Sequence, residues 1–238
     1  MTGSFAAKQP RVPQLPEAGD VGRLIMVRHG QTHSNVRRIL DTALPGAALT
    51  DQGISQARLL GKTLAWNHDR LGVVATSEAL RARQTGTWAI SEMHRHVRTD
   101  QNVLVMKGLK EVDAGELEGR RDREAHLEFG SYMWEWLRGE TQKKLPGGES
   151  LDDVIGRFEP TFAAMRARYL EHGRDAVVVA HGAAIRLMGH VLAGVDGRWV
   201  LTNSLPNTGM VVLEPKSGPN GHRWRVASWD GATDVPLS

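Results

Sequence analysis

Short apolar runs that alternate with helical patterns are the feature that most constrains the fold of this chain. Residues 176–180 (AVVVA) and 24–27 (LIMV) are continuous apolar runs. Runs of this length suit strands that are buried on both faces, as in parallel sheets. Between them, apolar residues recur at intervals of three and four, most clearly over 151–169. This alternation predicts an α/β fold, a three-layer sandwich with a mostly parallel central sheet and helices on both faces.

The other predicted elements follow the same two periods. Further strands are predicted at 73–75, 103–105, 210–213 and 224–226, the last two as an edge hairpin, and further helices at 51–64, 78–93 and 182–192. Thr50 is placed as an N-cap, and Ser150 with Asp153 forms a capping box before the long helix. Residues 112–148 lack a long periodic pattern, and we expect them to form a small inserted cap of loops and short helices.

The length of 238 residues fits one domain with its own core, and 40% hydrophobic with 24% charged residues is typical of a globular protein. We expect a single domain over residues 21–230, a flexible leader over 1–20 and a frayed tail over 231–238. No apolar run approaches the ~20 residues that a membrane helix needs, and the first 20 residues lack the apolar segment of a signal peptide. A cytoplasmic protein without membrane attachment is therefore expected.

Composition also limits the classes of partner and of site. Lys and Arg total 30 against 27 Asp and Glu, which gives a formal net charge of +3. This small excess favours small anionic ligands and does not predict nucleic-acid binding. The chain has no Cys, which excludes disulfides, thiolate metal sites and Cys nucleophiles. A homodimer formed through an edge strand is compatible with the predicted sheet.

Polar, reactive side chains follow three of the predicted strands. Arg28 and His29 follow the first strand, Ser77 ends the second and leads to Arg81, and His181 follows the strand at 176–180. Ligands of open α/β sheets bind beyond the carboxyl ends of the strands, so these side chains are candidates for one site. Each has a simpler interpretation as well, namely a polar loop, a solvated Arg or a histidine buried in the core.

Two further segments carry groups that suit an anion site. After the first strand, Gly30 allows close approach of the backbone to a ligand, and Thr32 and Asn35 add hydroxyl and amide donors. Residues 111–118 contain four carboxylates, among them Glu111. One acid beside a bound anion can deliver a proton to a leaving group, whereas a run of charge is more often a solvated face.

Six motifs in order resemble the histidine phosphatase superfamily, in the branch that includes cofactor-dependent phosphoglycerate mutase. The motifs are R-H-G-x-T-x-x-N at 28–35, L-T-x-x-G-x-x-Q-A at 49–57, S-x-x-x-R-A-x-Q-T at 77–85, L-x-E with G-x-L-x-G over 109–119, G-G-E-S at 147–150 and H-G at 181–182. Each motif is weak alone, but the ordered set is specific and spans nearly all of residues 24–226. The resemblance implies phosphoryl transfer to a histidine.

The resemblance implies a role for each matching residue. His29 would be the nucleophile, and Glu111 the acid that protonates the leaving oxygen. The imidazole must be neutral to attack, so its other nitrogen should be held by a backbone carbonyl. No metal and no cofactor is implied for hydrolysis. The expected phosphate-binding residues are Arg28, Thr32, Asn35, Arg81, His181 and Gly182.

Departures from the mutase pattern make a phosphatase acting on a small phosphorylated metabolite the leading hypothesis. Ala114 stands where glycolytic mutases have Tyr, Asp122 stands where they have Lys, and the span 120–148 is short. A phosphoglycerate mutase, which would need 2,3-bisphosphoglycerate, is the first alternative. Three arginines keep it open, because they can replace the missing contacts to a second anion: Arg120, Arg121 and Arg123. A non-catalytic phospho-ligand-binding module is the second alternative.

Three further groups of residues are not assigned a role by the resemblance. Asp41 lies where many phosphatases of this family have Gln. A carboxylate at this position suits a substrate with a hydroxyl or an amine. Trp134 and Trp136 either line the cap over the substrate or simply pack it, and packing is favoured. The histidines His94, His96 and His126 lack zinc-ligand spacing and are interpreted as surface residues.

Overall fold

The strands form where the sequence is continuously apolar. The computed structural model describes residues 14–216 and 224–238. Its strands are β1 (Leu24–Arg28), β2 (Leu71–Ser77), β3 (Val103–Met106), β4 (Asp175–Ala180), β5 (Met210–Pro215) and β6 (Trp224–Trp229). Its α-helices are α1 (His33–Arg37), α2 (Asp51–Trp66), α3 (Leu80–Met93), α4 (Arg123–Trp136), α5 (Leu151–Arg168), α6 (Gly182–Ala193) and α7 (Gly197–Thr202).

The strands make one six-stranded sheet in the order β3-β2-β4-β1-β5-β6. β1 to β4 are parallel to one another, with Leu24 beside Ala176 and Val74 beside Val177. β5 and β6 pair antiparallel at one edge, which confirms the predicted edge hairpin. The mostly parallel sheet is therefore confirmed, and the carboxyl ends of β2, β4 and β1 adjoin at its centre.

Two apolar layers cover the sheet, one on each face. Ile25 and Val27 of β1 pack with α2 and α3, whereas Leu24 and Met26 face the other way and pack with α5 and α6. This alternation with a period of two is the expected pattern for a strand buried on both faces. The three-layer sandwich predicted from the sequence is confirmed.

Residues 112–148, where the sequence predicts a cap, hold α4 and the loops around it. Asp122 is the N-cap of α4, where its carboxylate accepts the N–H of Ala125 at 2.9 Å. Trp136 is fully buried, and its Nε1–H donates to the carbonyl of Lys143 at 2.7 Å. This tryptophan packs the cap against its own loop.

The structure describes the C-terminal end of the chain in full and the N-terminal end in part. Of the expected leader over 1–20, residues 1–13 lie outside the described residues. The expected frayed tail instead lies against the domain, because Leu237 bridges to Val195 and the N–H of Ser238 donates to the carbonyl of Gly194 at 2.8 Å. In the ranges 14–216 and 224–238, no helix is both long enough and apolar enough to cross a membrane.

Candidate active site

A cavity of about 690 Å³ opens above the carboxyl ends of β1, β2 and β4. It holds six of the residues expected to be functional: Arg28, His29, Thr32, Asn35, Arg81 and Glu111, with Gly182 beside them. The chain reaches this point from several separate segments, and the parallel order of the strands brings those segments together. The cavity lies beyond the carboxyl ends of the central strands, where open α/β sheets bind their ligands.

His29 is buried directly after β1, and its orientation is fixed by a backbone group. Its Nδ1–H donates to the carbonyl of Gly30 at 2.7 Å, since a carbonyl can only accept. The ring therefore presents Nε2 as the unprotonated nitrogen. Burial lowers the pKa of His29 well below its ordinary value, and the guanidinium groups of Arg81 and Arg28 lower it further. The ring is thus neutral at pH 7, as a nucleophile requires.

His181 lies beside His29, with 5.3 Å between the two ring centroids. Arg81 Nε donates to His181 Nδ1 at 3.2 Å, so the proton of the neutral ring sits on Nε2 and is donated to Ser77 Oγ at 2.8 Å. Burial is the largest cause that lowers the pKa of His181. Both ring nitrogens thus contact protein groups. His181 is not among the described residues that line the cavity, and it contacts the site through Arg81.

Arg28 and Arg81 each have a buried nitrogen that has no hydrogen-bond partner among the described residues. Arg28 Nη1 donates to the carbonyl of Leu205 at 2.6 Å. In the described part of the chain, Arg28 Nε and Arg81 Nη1 have no hydrogen-bond partner. Buried polar groups are normally paired, so two orphan cationic donors beside His29 form a site that an anion would complete.

Thr32 and Asn35 form the turn that closes the cavity beside His29. Thr32 is the N-cap of α1, and the two side chains form a reciprocal capping box. Asn35 Oδ1 also accepts from Asn207 Nδ2 at 3.1 Å, and the same Asn207 group donates to the carbonyl of His29 at 3.0 Å. With its oxygen used twice, Asn35 keeps its amide nitrogen as the donor for a ligand.

Glu111 lies at the N-terminus of α6. Its Oε2 accepts the N–H of Ala183 at 3.0 Å, and its Oε1 accepts the N–H of Ala184 at 2.9 Å. The N-terminus of a helix favours negative charge, which explains why a carboxylate is held there. The sequence placed Glu111 only by resemblance, whereas the structure shows the backbone groups that hold it at the cavity wall.

Two glycines of the motifs, Gly30 and Gly182, each leave space for a different neighbour. A Cβ at Gly30 would lie 2.6 Å from the carbonyl oxygen of Gly53, so Gly30 allows close contact with α2. A Cβ at Gly182 would lie 3.1 Å from Arg28 Nε. Gly182 therefore leaves room for the guanidinium group that the site needs.

Asp41 lies on the cavity wall, opposite Arg81. Its Oδ2 accepts the N–H of Ala47 at 2.9 Å, and its Oδ1 is 3.9 Å from Arg81 Nη1. Burial lowers the pKa of Arg81, whereas the charge of Asp41 raises it. The carboxylate thus offsets part of the burial of Arg81 and fixes the turn over residues 41–47.

The structure also adds residues that the sequence reasoning missed. Arg186 lies one turn after Gly182 on α6, and its Nε donates to the Gly182 carbonyl at 3.1 Å. Its spacing of four from Gly182 was the available indication. His126, interpreted as a surface residue, is exposed but also contributes to the cavity wall, where its Nε2 contacts the carbonyl of Arg38 at 2.8 Å. The other missed wall residues include Arg38 and Phe129.

Neither Trp134 nor Trp136 is among the described residues that line the cavity, which agrees with the favoured packing interpretation. His94 and His96 are exposed, as expected. Over residues 14–216 and 224–238, no group of three or more His, Cys, Asp or Glu side chains is arranged to hold a metal ion.

Comparisons with known proteins agree with this geometry. A 2,3-bisphosphoglycerate-dependent phosphoglycerate mutase of Azorhizobium caulinodans is 32% identical over 190 residues, covering 80% of this chain and 90% of that protein. The solved mycobacterial glucosyl-3-phosphoglycerate phosphatase with VO3 superimposes with a TM-score of 0.68 at 27% identity, covering 89% of this chain and 100% of that one. The structure titled mycobacterial hydrolase 1 has a TM-score of 0.70 at 26% identity, covering 89% and 99%.

A family model also matches most of the chain. The model for branch 1 of the histidine phosphatase superfamily matches residues 24–231. This range contains the whole sheet, both histidines and the cap. The chain therefore belongs to the histidine phosphatase superfamily, branch 1, as its six ordered motifs indicated.

Proposed function

We propose that this protein is a metal-independent phosphatase that hydrolyses a small phosphomonoester through a phosphohistidine at His29. The observation that carries the proposal is the neutral His29 ring beside the two orphan donors of Arg28 and Arg81. Phosphoryl transfer depends mainly on positioning and on positive charge at the equatorial oxygens. Two guanidinium groups supply that charge, and the amide of Asn35 adds a third donor.

In the first step, the lone pair of His29 Nε2 attacks phosphorus and a P–N bond forms. The bond from phosphorus to the ester oxygen breaks, and that oxygen takes a proton from Glu111, which the proposed step requires in its acid form. The alcohol leaves, and the phosphoryl group stays on His29 with its oxygens against Arg28 and Arg81. His181 keeps Arg81 in place during this step, because its Nδ1 accepts from Arg81 Nε.

In the second step, water attacks the phosphoryl group from the side that the alcohol has left. The Glu111 carboxylate takes the proton of that water, and the P–N bond breaks. Orthophosphate leaves, and both His29 and Glu111 return to their starting protonation states. Acid and base catalysis by one positioned carboxyl group of this kind contributes about 10²–10⁴-fold.

A phosphoglycerate mutase activity is the second candidate, and one observation favours it. Arg38, Arg121 and Arg123 lie on the cavity wall beyond the phosphate site, where they suit a second anionic group. Arg120, by contrast, is paired with Asp122 at 2.7 Å. Relatives at 32% identity carry the name of the mutase. The two candidates differ in water access, because a mutase must keep water from the phosphohistidine.

A panel of phosphorylated metabolites, with and without 2,3-bisphosphoglycerate and in the presence of EDTA, tests the proposal. We expect release of orthophosphate, and an acid-labile, base-stable label on the protein after a rapid quench with ³²P-labelled substrate. His29→Ala should lose both, whereas the exposed control His94→Ala should keep both. Full hydrolysis by His29→Ala would contradict the proposal.

Two other results of the panel point to the alternatives. Isomerisation that requires 2,3-bisphosphoglycerate, without net release of phosphate, identifies the mutase. Binding of orthophosphate without turnover of any substrate, including p-nitrophenyl phosphate, identifies a non-catalytic phospho-ligand-binding module.

A further inference from the structure

Arg157, on α5, donates a hydrogen bond from every N–H of its guanidinium group. Nε and Nη2 donate to the two carboxylate oxygens of Glu149, each at 2.9 Å. Nη1 donates to the carbonyls of Gly108 at 2.8 Å and Lys110 at 2.7 Å, and Nη2 donates to the carbonyl of Glu111 at 3.0 Å. All five donors are used, and the side chain is 14% exposed. The position of this group is therefore strongly determined.

Glu149 holds the same segment from its other side. Its Oε2 accepts the N–H of Asp113 at 3.0 Å, and its own N–H donates to the carbonyl of Asp113 at 3.2 Å. The Arg157–Glu149 pair thus binds the backbone on both sides of Glu111. Arg157 contacts residues 108, 110 and 111, and Glu149 contacts residue 113. A bidentate pair of this kind adds directional precision as well as energy.

The segment over 108–113 needs such support because it is neither helix nor strand. It leaves β3 through Gly108, whose φ is +88°, and it must bring Glu111 to the N-terminus of α6. Three of its carbonyls find their donor in Arg157 instead of a strand or helix neighbour. Loss of the Arg157 hydrogen bonds would therefore displace the Glu111 carboxyl group.

We infer that the Arg157–Glu149 pair is a positioning device for the proton donor Glu111. The inference rests on the proposed function, because it needs Glu111 to protonate the leaving oxygen. Arg157 itself touches no reacting atom, and it acts through the backbone that carries Glu111. Arg157 thereby determines the position of the Glu111 carboxyl group relative to the substrate.

The basicity of the leaving group separates this role from a merely structural one. An alkoxide is a poor leaving group and needs the proton, whereas p-nitrophenolate leaves without one. Loss of the positioning pair should therefore lower kcat/KM for an alkyl phosphate far more than for p-nitrophenyl phosphate. General loss of folded protein would lower both equally. The ratio kcat/KM is the correct measure, because it reports the step in which the leaving group departs.

The experiment compares Arg157→Met, Arg157→Lys and Glu149→Gln with the wild type on glycerol phosphate and p-nitrophenyl phosphate. For Arg157→Met we expect a loss of about 10²-fold in kcat/KM on the alkyl substrate, with little change on the aryl substrate. Arg157→Lys and Glu149→Gln should show the same pattern with smaller losses, which keeps the test open if Arg157→Met fails to fold. Arg168→Met, at the exposed end of α5, is the matched control and should leave both substrates unchanged.

Glu111→Gln separates failure of the inference from failure of the proposed function. If Glu111→Gln shows the selective loss on the alkyl phosphate but none of the three positioning variants does, the inference is overturned and the proposed function stands. Equal losses on both substrates in those variants would likewise overturn it. If Glu111→Gln itself shows no selective loss, the proposed role of Glu111 fails, and the inference fails with it.

Discussion

Burial and neighbouring positive charge act in the same direction on the His29 ring. Burial and the neighbouring guanidinium groups oppose protonation of the imidazole, and the Gly30 carbonyl fixes its tautomer. In the proposed mechanism, the same two arginines attract the phosphate to the unprotonated Nε2. One arrangement would therefore both keep the nucleophile neutral and bring the phosphate to it.

A pH titration should show this property directly. The pKa values of His29 and His181 are lowered, so both rings should remain neutral as the pH falls below about 6.5, the ordinary imidazole value. Imidazole ¹⁵N NMR shifts should show the neutral Nδ1–H form of His29 at pH 6. In urea the same rings should titrate near the ordinary value.

The lowered pKa values of His29 and His181 also make the free energy of unfolding depend on pH. The direction of this dependence follows from which state binds more protons. Below about pH 6.5 the unfolded chain binds protons that the folded protein does not, so the free energy of unfolding should decrease as the pH falls. A cationic His29 ring in the folded protein at pH 6 would contradict the prediction.

At the residue scale, the sequence indicated the candidate groups but not how they contact one another. The ordered motifs identified His29, Arg28 and Arg81. They could not show that His181 faces Ser77 and Arg81, because that contact depends on which strands adjoin. Arg157 was also missed. Three of its partners are backbone carbonyls of a distant segment, and the residue types of that segment do not indicate such contacts.

At the element scale, the N-cap of α5 stabilises the helix that carries Arg157. Ser150 Oγ accepts the N–H of Asp153 at 3.2 Å and donates to Asp153 Oδ2 at 2.8 Å. Ser150→Ala should lower the free energy of unfolding by about 1 kcal/mol in urea titrations. The matched control is Ser55→Ala within α2, which removes no cap and should cost nothing. Equal effects of the two substitutions would exclude a capping role.

The cap of α5 also makes a contribution that depends on pH. Hydrogen bonds from the backbone N–H of Ser150, together with Lys144 and the Ser150 hydroxyl, lower the pKa of Asp153 to about 2. A lowered carboxyl pKa stabilises the folded state above the unfolded value, and this stabilisation is lost as the pH falls through about 2. The difference between Ser150→Ala and the wild type should therefore shrink in strong acid.

Elements with a clear period were predicted well, and those set by tertiary contacts were not. The buried runs gave β1 and β4, and the capping box placed the start of α5. The strand order β3-β2-β4-β1-β5-β6 has no local pattern, since it depends on which helices cover which face. Residues 231–238 were expected to be frayed because chain ends often are, and only the bridge to Val195 shows that they contact the domain.

At the scale of the whole molecule, charge is concentrated where the strands end. The net charge is only +3, yet six arginines and two carboxylates line the one cavity described above. Field lines are focused in such a cleft, which raises the local concentration of anions. The uneven distribution, more than the total, suits the protein to phosphorylated substrates.

Binding of orthophosphate should therefore stabilise the whole fold. A ligand that binds only the folded state at 100 times its Kd adds about 2.7 kcal/mol, which for a chain of this size raises Tm by about 5–10 °C. Chloride at the same ionic strength should give a much smaller rise, because it cannot satisfy Arg28 Nε and Arg81 Nη1 together. Arg81→Gln should lose most of the response to phosphate in the same calorimetric scans. An equal rise with both anions, or an unchanged response in Arg81→Gln, would show that the cavity does not bind phosphate through these donors.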